Sequence, residues 1–566
     1  MPSTVDTSGV AAVPSQPTPT VELTATDPGS PLGVFAFVKV LEPHLLFLML
    51  SSLTLLWIGA HSALRRPPSA APTESTKQEK KKEKPRENLE FSDAILFPLC
   101  LGVALAGMYY VIKVLQYADI VNSILRVYMS VMSIAGTGTL IGDALDIYTS
   151  LIFPDMWADQ TGRLYHIDQN QRRQLVVEKE TGKKVPTPDK TNPLPGKLSE
   201  WRFSPKLVDI LWGVRGILNQ EWSLRFATYG KTRVKIGVRL NDIVKVSIAT
   251  ALAITYHFAK GIFVSNLLAI ALCYSSFSLI SPTSFAIGTL VLGGLFVYDI
   301  VMVFYTPLMI TVASKVDAPI KLVFKGAKSG SILGLGDIVV PGFIICLALR
   351  FDQYQYYKKQ IKLEPVELKT ILPDGTVSTT LTHRRVKVPY VSPRNQWGNR
   401  YWTTPPGRLS PIPQAYEPIS ATAFPKPYFY ASLIGYTFGM VSTLLVMVVF
   451  NHAQPALLYL VPGVTGSLWL TGLIRGELKD MWEYTEDGSL DVKDVVVEVD
   501  GKGNVIQQIG EEEVEKMKED DEKGQKDKNG ADNSTEGSGG KAKKDEEWYE
   551  LFTFTITAPR MRLSAT

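Results

Sequence analysis

Two acids stand inside long apolar runs of the chain, Asp299 in a stretch whose only acidic residue it is and Asp337 in the stretch that follows. An ionisable side chain inside a membrane span costs several kcal/mol unless something offsets it, so each is a candidate functional group. Asp299 falls about 8 Å before the end of its run and Asp337 about 9 Å after the start of the next, at the rise of a helix. Successive spans run antiparallel, so the two carboxylates come to similar depth beneath the same membrane face. Two carboxylates in contact resist double ionisation, and such a pair is expected to share one proton. The ionised partner can then draw a proton from water while the protonated one hydrogen-bonds a carbonyl, which is the chemistry of amide hydrolysis. The roles of the two cannot be divided, because a coupled pair titrates as a unit. Buried acids on neighbouring spans also bind protons or cations, so transport is the competing chemistry.

The neighbours of the two acids narrow the choice. Asp337 follows Gly334-Leu335-Gly336, where two missing side chains let another backbone come close. Taken alone this pattern is equally a small-residue helix contact. Tyr298 adjoins Asp299 and is assigned to the site. Gln454-Pro455-Ala456-Leu457 opens the last apolar run, where a proline at a helix entry is ordinary by itself. Asn266 has two readings, orienting substrate or hydrogen-bonding across the bundle, and packing is the favoured one. Asp143 and Asp146, three residues apart, are expected to sit where a span ends, as interfacial acids.

The elements that must position these residues are membrane helices, and the expected fold class is all-α, a polytopic membrane protein. Runs able to cross roughly 30 Å of hydrocarbon number nine. They lie within Val34 to Ala60, Ala94 to Leu115, Val121 to Ile141, Ile243 to Phe258, two passes in Gly261 to Tyr305 broken at Ser281-Pro282-Thr283, Ser331 to Leu349, Tyr428 to Phe450 and Pro455 to Ile474. The expected organisation is a lumenal tail over 1–33, helices one to three over 34–152 with a basic loop, and a cytosolic connection over 153–242. Helices four to seven with the two acids occupy 243–350, a second cytosolic connection 351–427, the last two helices 428–475, and a cytosolic, largely disordered tail 476–566. Asn533-Ser534-Thr535 in that tail is a chance match to a glycosylation acceptor.

Arg65, Arg66 and the Lys80-Lys81-Lys82 cluster mark the first connection as cytosolic, and the connections after spans three and seven agree. The N-terminus is then lumenal and the C-terminus cytosolic. Lys315, Lys321, Lys325 and Lys328, between spans six and seven, point the other way and are outvoted. The first span has no basic flank before it and reads as retained rather than cleaved. A net charge of +4 over 566 residues, with no contiguous basic patch, argues against a nucleic-acid partner. Cys100, Cys273 and Cys346 lie inside apolar runs without metal-ligand spacing, so neither a disulfide framework nor a metal is expected.

Taken in order, each on its own span, Tyr298-Asp299, Gly334-Leu335-Gly336-Asp337 and Pro455-Ala456-Leu457 resemble the signal peptide peptidase and presenilin family. The likeness extends over roughly Phe263 to Phe351 and Tyr428 to Met481. It implies an aspartic intramembrane endopeptidase of nine-helix fold that needs water and no cofactor. Asp299 and Asp337 would be its catalytic dyad, with Gly334, Leu335, Gly336, Tyr298, Gln454, Pro455, Ala456 and Leu457 around the substrate. The implied partners are the bilayer and transmembrane peptides, above all remnant signal peptides and segments of type II orientation, and the implied residence is the endoplasmic reticulum membrane; homo-oligomers are left open. The loop between the two acids is too short to suggest the self-cleavage of presenilin. Two departures stand out: the long connection from Phe351 to Pro427, and an end, Arg562-Leu563-Ser564-Ala565-Thr566, without a lysine retrieval signal. Apart from transport, the competing class is a scaffold that binds spans without cutting them.

Overall fold

The structure is a computed structural model. It describes residues 43–487 apart from 73–86, 90, 178–183, 229–230, 260, 317, 326–329, 372–376, 395, 405–423 and 451–453, together with 490, 496–499, 505–509 and 552–557. The 1–33 tail, the start of the first span, the Lys80 cluster, Lys328 and Asn533 therefore lie outside the described residues, as does most of the 476–566 tail expected to be largely disordered.

Nine long helices fall where the apolar runs do. They are α1 (Pro43–Ser62), α2 (Phe91–Tyr109), α3 (Ala118–Ile152), α4 (Leu240–Phe258), α5 (Ile262–Leu279), α6 (Phe285–Ile300), α7 (Gly336–Lys358), α8 (Pro427–Phe450) and α9 (Leu457–Arg475). Among the described residues, seven helices are long and apolar enough by themselves to cross a bilayer. The two left out are α4, diluted by Asp242 and Lys245, and α7, which carries Asp337, Arg350 and Asp352. Exposed Leu99, Val103, Ile124, Val131, Ile434 and Phe438 leave an apolar outer surface, as a lipid-facing bundle requires.

Of three boundaries that bear on the site, one falls as the sequence reads and two differ. The α5–α6 break does fall at Ser281-Pro282-Thr283, where Ile280–Pro282 pairs in parallel with Glu87–Leu89 and Ser284 caps α6 by accepting from the Ile287 N–H at 3.3 Å. By contrast, α7 begins only at Gly336, because Gly330–Gly334 is a strand, so Asp337 stands in the first helical turn instead of well inside a span. The second difference is α3, which runs on to Ile152, so Asp143 and Asp146 lie within a helix. There Asp143 accepts from Tyr274 Oη at 2.5 Å and Asp146 from Asn241 Nδ2 at 3.0 Å.

The all-helical expectation needs correction in the connections. Met156–Ala158, Leu164–Asp168, Arg173–Val177 and Lys184–Pro186 form an antiparallel meander. On it Trp157 and Tyr165 stack at 4.5 Å, and Lys190 Nζ lies 4.2 and 3.9 Å from their ring centres. Parts of the tail are strands as well. Phe552–Thr557 joins the Trp222–Thr228 and Lys231–Val238 hairpin, and Val496–Val499 and Val505–Ile509 extend the Lys362–Ile371 and Val377–Val386 hairpin.

The core gathers α1, α5, α6, α7, α8 and α9. Between α8 and α9 the backbones touch, since a methyl group added at Gly463 would lie 2.5 Å from the Gly435 carbonyl oxygen. At one end of the bundle a buried ionic knot joins four chain segments. Glu486 pairs with Arg65, just past α1, and accepts from Arg350 Nε of α7 at 2.8 Å, from Ser281 Oγ at 3.0 Å and from Tyr484 Oη at 2.9 Å. Arg350 also donates to Ser281 Oγ at 2.6 Å. The knot thereby gathers the C-terminal ends of α1, α5 and α7 and the segment after α9 at one face, as alternating passes demand.

Burial opposes ionisation of Glu486, but the Arg350 and Arg65 guanidinium groups outweigh it and hold the carboxyl below the usual glutamate range. A depressed folded value means that the stabilisation is present above the ordinary glutamate pKa and is lost as pH falls through the folded value. Glu486→Gln should cost about 3–5 kcal/mol by leaving Arg350 buried without a countercharge. Thermal unfolding in detergent should show that deficit largest above about pH 5 and narrowing on acidification. Gly463→Val should cost about 1–3 kcal/mol in the same assay by forcing α8 and α9 apart.

Candidate active site

Three helix ends converge on the two acids. Asp299 occupies the last turn of α6, which continues as a wider π turn over Val301–Tyr305, and its side chain is buried, with 6% exposure. Placed near the C-terminal end of its own helix, where carbonyl dipoles accumulate, a carboxylate is poorly sited. The compensation comes from α9. The first N–H groups of a helix have no partner within it, and Pro455 has no N–H at all. The Leu457 N–H, first of α9, donates to Asp299 Oδ2 at 3.0 Å. A carboxylate at a helix N-terminus is favoured by both that hydrogen bond and the dipole.

Asp337 is the second residue of α7, within electrostatic reach of Asp299. The two glycines before it are not equivalent. A methyl group at Gly334 would sit 3.3 Å from Asp337 Oδ2, whereas one at Gly336 would meet nothing within 4 Å. Leu335 lies between them, and its N–H donates to the Ile320 carbonyl at 2.9 Å, tying the start of α7 to the preceding hairpin. That hairpin pairs β1 (Lys321–Lys325) with β2 (Gly330–Gly334), its Leu322 and Leu333 buried in the core.

The remaining predicted residues divide by position. Pro455 and Leu457 are buried, Gln454 and Ala456 half-buried, all at the entry to α9. Tyr298 turns toward α2, where a methyl group at Gly102 would touch its ring at 3.8 Å. An apolar groove of about 640 Å³ opens between α2, α6 and α9, lined by Ile95, Pro98, Thr289, Gly293, Val297 and Trp469. Through Val297 it comes within one helical turn of Asp299.

One residue gains a place that its sequence context does not signal, and one singled out there has a different partner from the one expected. Tyr436 of α8, fully buried, lies within electrostatic reach of Asp337; an aromatic in an apolar run carries no mark of this. Asn266 of α5 does not bridge helices but binds backbone: its Nδ2 donates to the Val323 carbonyl at 2.8 Å and its Oδ1 accepts from the Val323 N–H at 3.0 Å. Among the described residues no group of three or more His, Cys, Asp or Glu side chains could hold a metal ion.

Residues 80–488 match the family model described as signal peptide peptidase. The chain is similar to the mouse signal peptide peptidase, 25% identical over 438 residues that cover 76% of this chain and 82% of the relative. It is also similar to the human signal peptide peptidase, 25% identical over 72% of this chain and 76% of the relative. To intramembrane protease 2 of Caenorhabditis elegans it is 30% identical over 48% of each chain. No solved structure matches. With most of its length inside that family model, and with the two acids brought together at three helix ends, the chain belongs to the signal peptide peptidase family.

Proposed function

We propose that the chain cleaves peptide bonds within membrane-spanning segments by aspartic chemistry, with Asp299 and Asp337 as the catalytic pair. The observation that carries this reading is the Leu457 N–H on Asp299 at 3.0 Å, with Asp337 in the first turn of α7, which packs against α6 and α9. Of the two acids sharing one proton, the ionised one takes a proton from the attacking water and the protonated one hydrogen-bonds the scissile carbonyl. The Leu457 N–H keeps Asp299 oriented throughout. Gly334 keeps space beside Asp337, while Leu335 and Gly336 set the entry to α7. Gln454, Pro455, Ala456 and Tyr298 border the path of the substrate.

A helical substrate hides its amides in its own hydrogen bonds, so hydrolysis requires local unwinding and a temporary backbone partner. The β1–β2 hairpin beside Asp337 supports such pairing, and the groove between α2, α6 and α9 is of a kind to receive an apolar helix. The relatives named signal peptide peptidase suggest remnant signal peptides and type II segments as substrates. Nine crossings would include α4 and α7, the second buried by the other helices, and the basic connections favour a lumenal N-terminus with the Arg65–Arg350–Glu486 knot on the cytosolic side. The endoplasmic reticulum membrane is the proposed residence, and self-association is left to measurement.

Purified protein in detergent or proteoliposomes should cleave a model signal peptide. Asp299→Ala and Asp337→Ala should each lower turnover by about a thousandfold or more, the scale expected when one member of a mutually dependent catalytic unit is lost. Ion flux without cleavage would favour transport, and peptide capture indifferent to both substitutions would favour a scaffold; either result overturns the reading. Gly334→Ala should reduce kcat by roughly tenfold through crowding of Asp337, whereas Gly336→Ala should stay within about threefold of wild type, since misplacing a reacting group is costly and filling open space is not.

A further inference from the structure

The two edges of the β1–β2 hairpin are treated unequally. In an antiparallel ladder, pairs that exchange both backbone hydrogen bonds alternate with pairs whose N–H and C=O groups point outward. Val323 gives both of its groups to Asn266, so they point away from β2. Its cross-strand partner is Ile332, which therefore turns its own N–H and C=O to the opposite edge. Gly334, two residues further along and paired with Lys321, does the same. The inward bond from the Leu335 N–H to the Ile320 carbonyl at 2.9 Å falls where this alternation requires.

The outer edge of β1 is thus stoppered at its centre by a side-chain amide. The outer edge of β2 offers the backbone groups of Ile332 and Gly334, the second lying directly beside the Asp337 carboxylate. An unpaired strand edge is a template for another strand, and an apolar surround, where water cannot compete, strengthens that tendency. An asparagine is suited to the stopper, because one planar amide carries a donor and an acceptor in the spacing of a peptide group. It also leaves none of its own polar atoms unsatisfied within the apolar α5.

We propose that Asn266 is a positioning residue that closes the β1 edge, so that an unwound substrate adds as a strand only along Ile332 and Gly334, and that this fixes which peptide bond reaches the acid pair. The proposal rests on the proteolytic reading above. With the stopper removed, Val323 presents a second pairing edge and the hairpin loses its anchor to α5. The substrate backbone then engages in more than one register, and a shift of register moves a different bond to the acids.

The test is the mass spectrum of the products made from a model signal peptide by the full-length chain in proteoliposomes. Asn266→Leu, similar in shape but without polar atoms, should at least halve the share of the main wild-type product and create cuts one or two residues away. Ile332→Pro removes an outward N–H while sparing every ladder bond, as proline at an open edge can, and should reduce turnover at least tenfold. Wild-type product masses in wild-type proportion from Asn266→Leu, at whatever rate, would mean that the residue only packs, and full turnover by Ile332→Pro would mean that the β2 edge is unused; either overturns the proposal. Should Asn266→Leu not fold, Asn266→Ser takes its place under the same criterion. Failure of the proteolytic reading has a different signature, namely no product from the wild-type chain or undiminished product from Asp299→Ala, and it removes both claims.

Discussion

A carboxylate survives in an apolar bundle only where fixed dipoles replace the water that it has lost, and the Leu457 N–H on Asp299 is that replacement. Much of the surrounding architecture follows from it. For α9 to present a free N–H, its helix must begin beside Asp299, and Pro455 suits that start because it contributes no competing donor. For Asp337 to join, α7 must begin at the same depth, and the Leu335 anchor to Ile320 holds it there. A helix passing uninterrupted through this region would offer no unpaired N–H, so the site depends on helix ends meeting inside the bundle.

The opposite end of the bundle has the contrary character. Glu486, Arg350, Arg65 and Ser281 satisfy one another, and none is left to act on a ligand. Further along the bundle, α8 and α9 are held at backbone contact between Gly435 and Gly463. The irregular backbone, the hairpin and the π turn after α6, lies at the other end.

Much of this was readable in the sequence because the bilayer constrains it so tightly. Charges isolated in apolar runs identified Asp299 and Asp337, and a polar tripeptide with proline located the α5–α6 turn. What escaped detection did so for physical reasons. Ser331 to Gly334 belongs to an apolar run too short to reveal its period, so strand and helix could not be told apart. The partner of Asn266 lies 57 residues away and the Arg350 partner of Glu486 136 residues away, and no local pattern encodes such distances. The small sheets of the connections alternate weakly and are interrupted by charge, and the strands of the tail join them only by pairing with hairpins remote in sequence.

The length of α3 has a consequence for the protein's outline. At about 1.5 Å per residue its 35 residues extend roughly 50 Å, well beyond the hydrocarbon layer. Its far end is gripped by the Trp397–Thr403 helix, with Trp402 Nε1 donating to the Leu151 carbonyl at 2.8 Å and Asn399 accepting from the Asp155 N–H at 2.8 Å. The helix therefore carries the Trp157–Tyr165 sheet at its C-terminal end, tied there by the Trp397–Thr403 helix. Anything that tugs on that sheet pulls on a stiff rod lodged between α4 and α5, the second of which carries the asparagine that stoppers the hairpin.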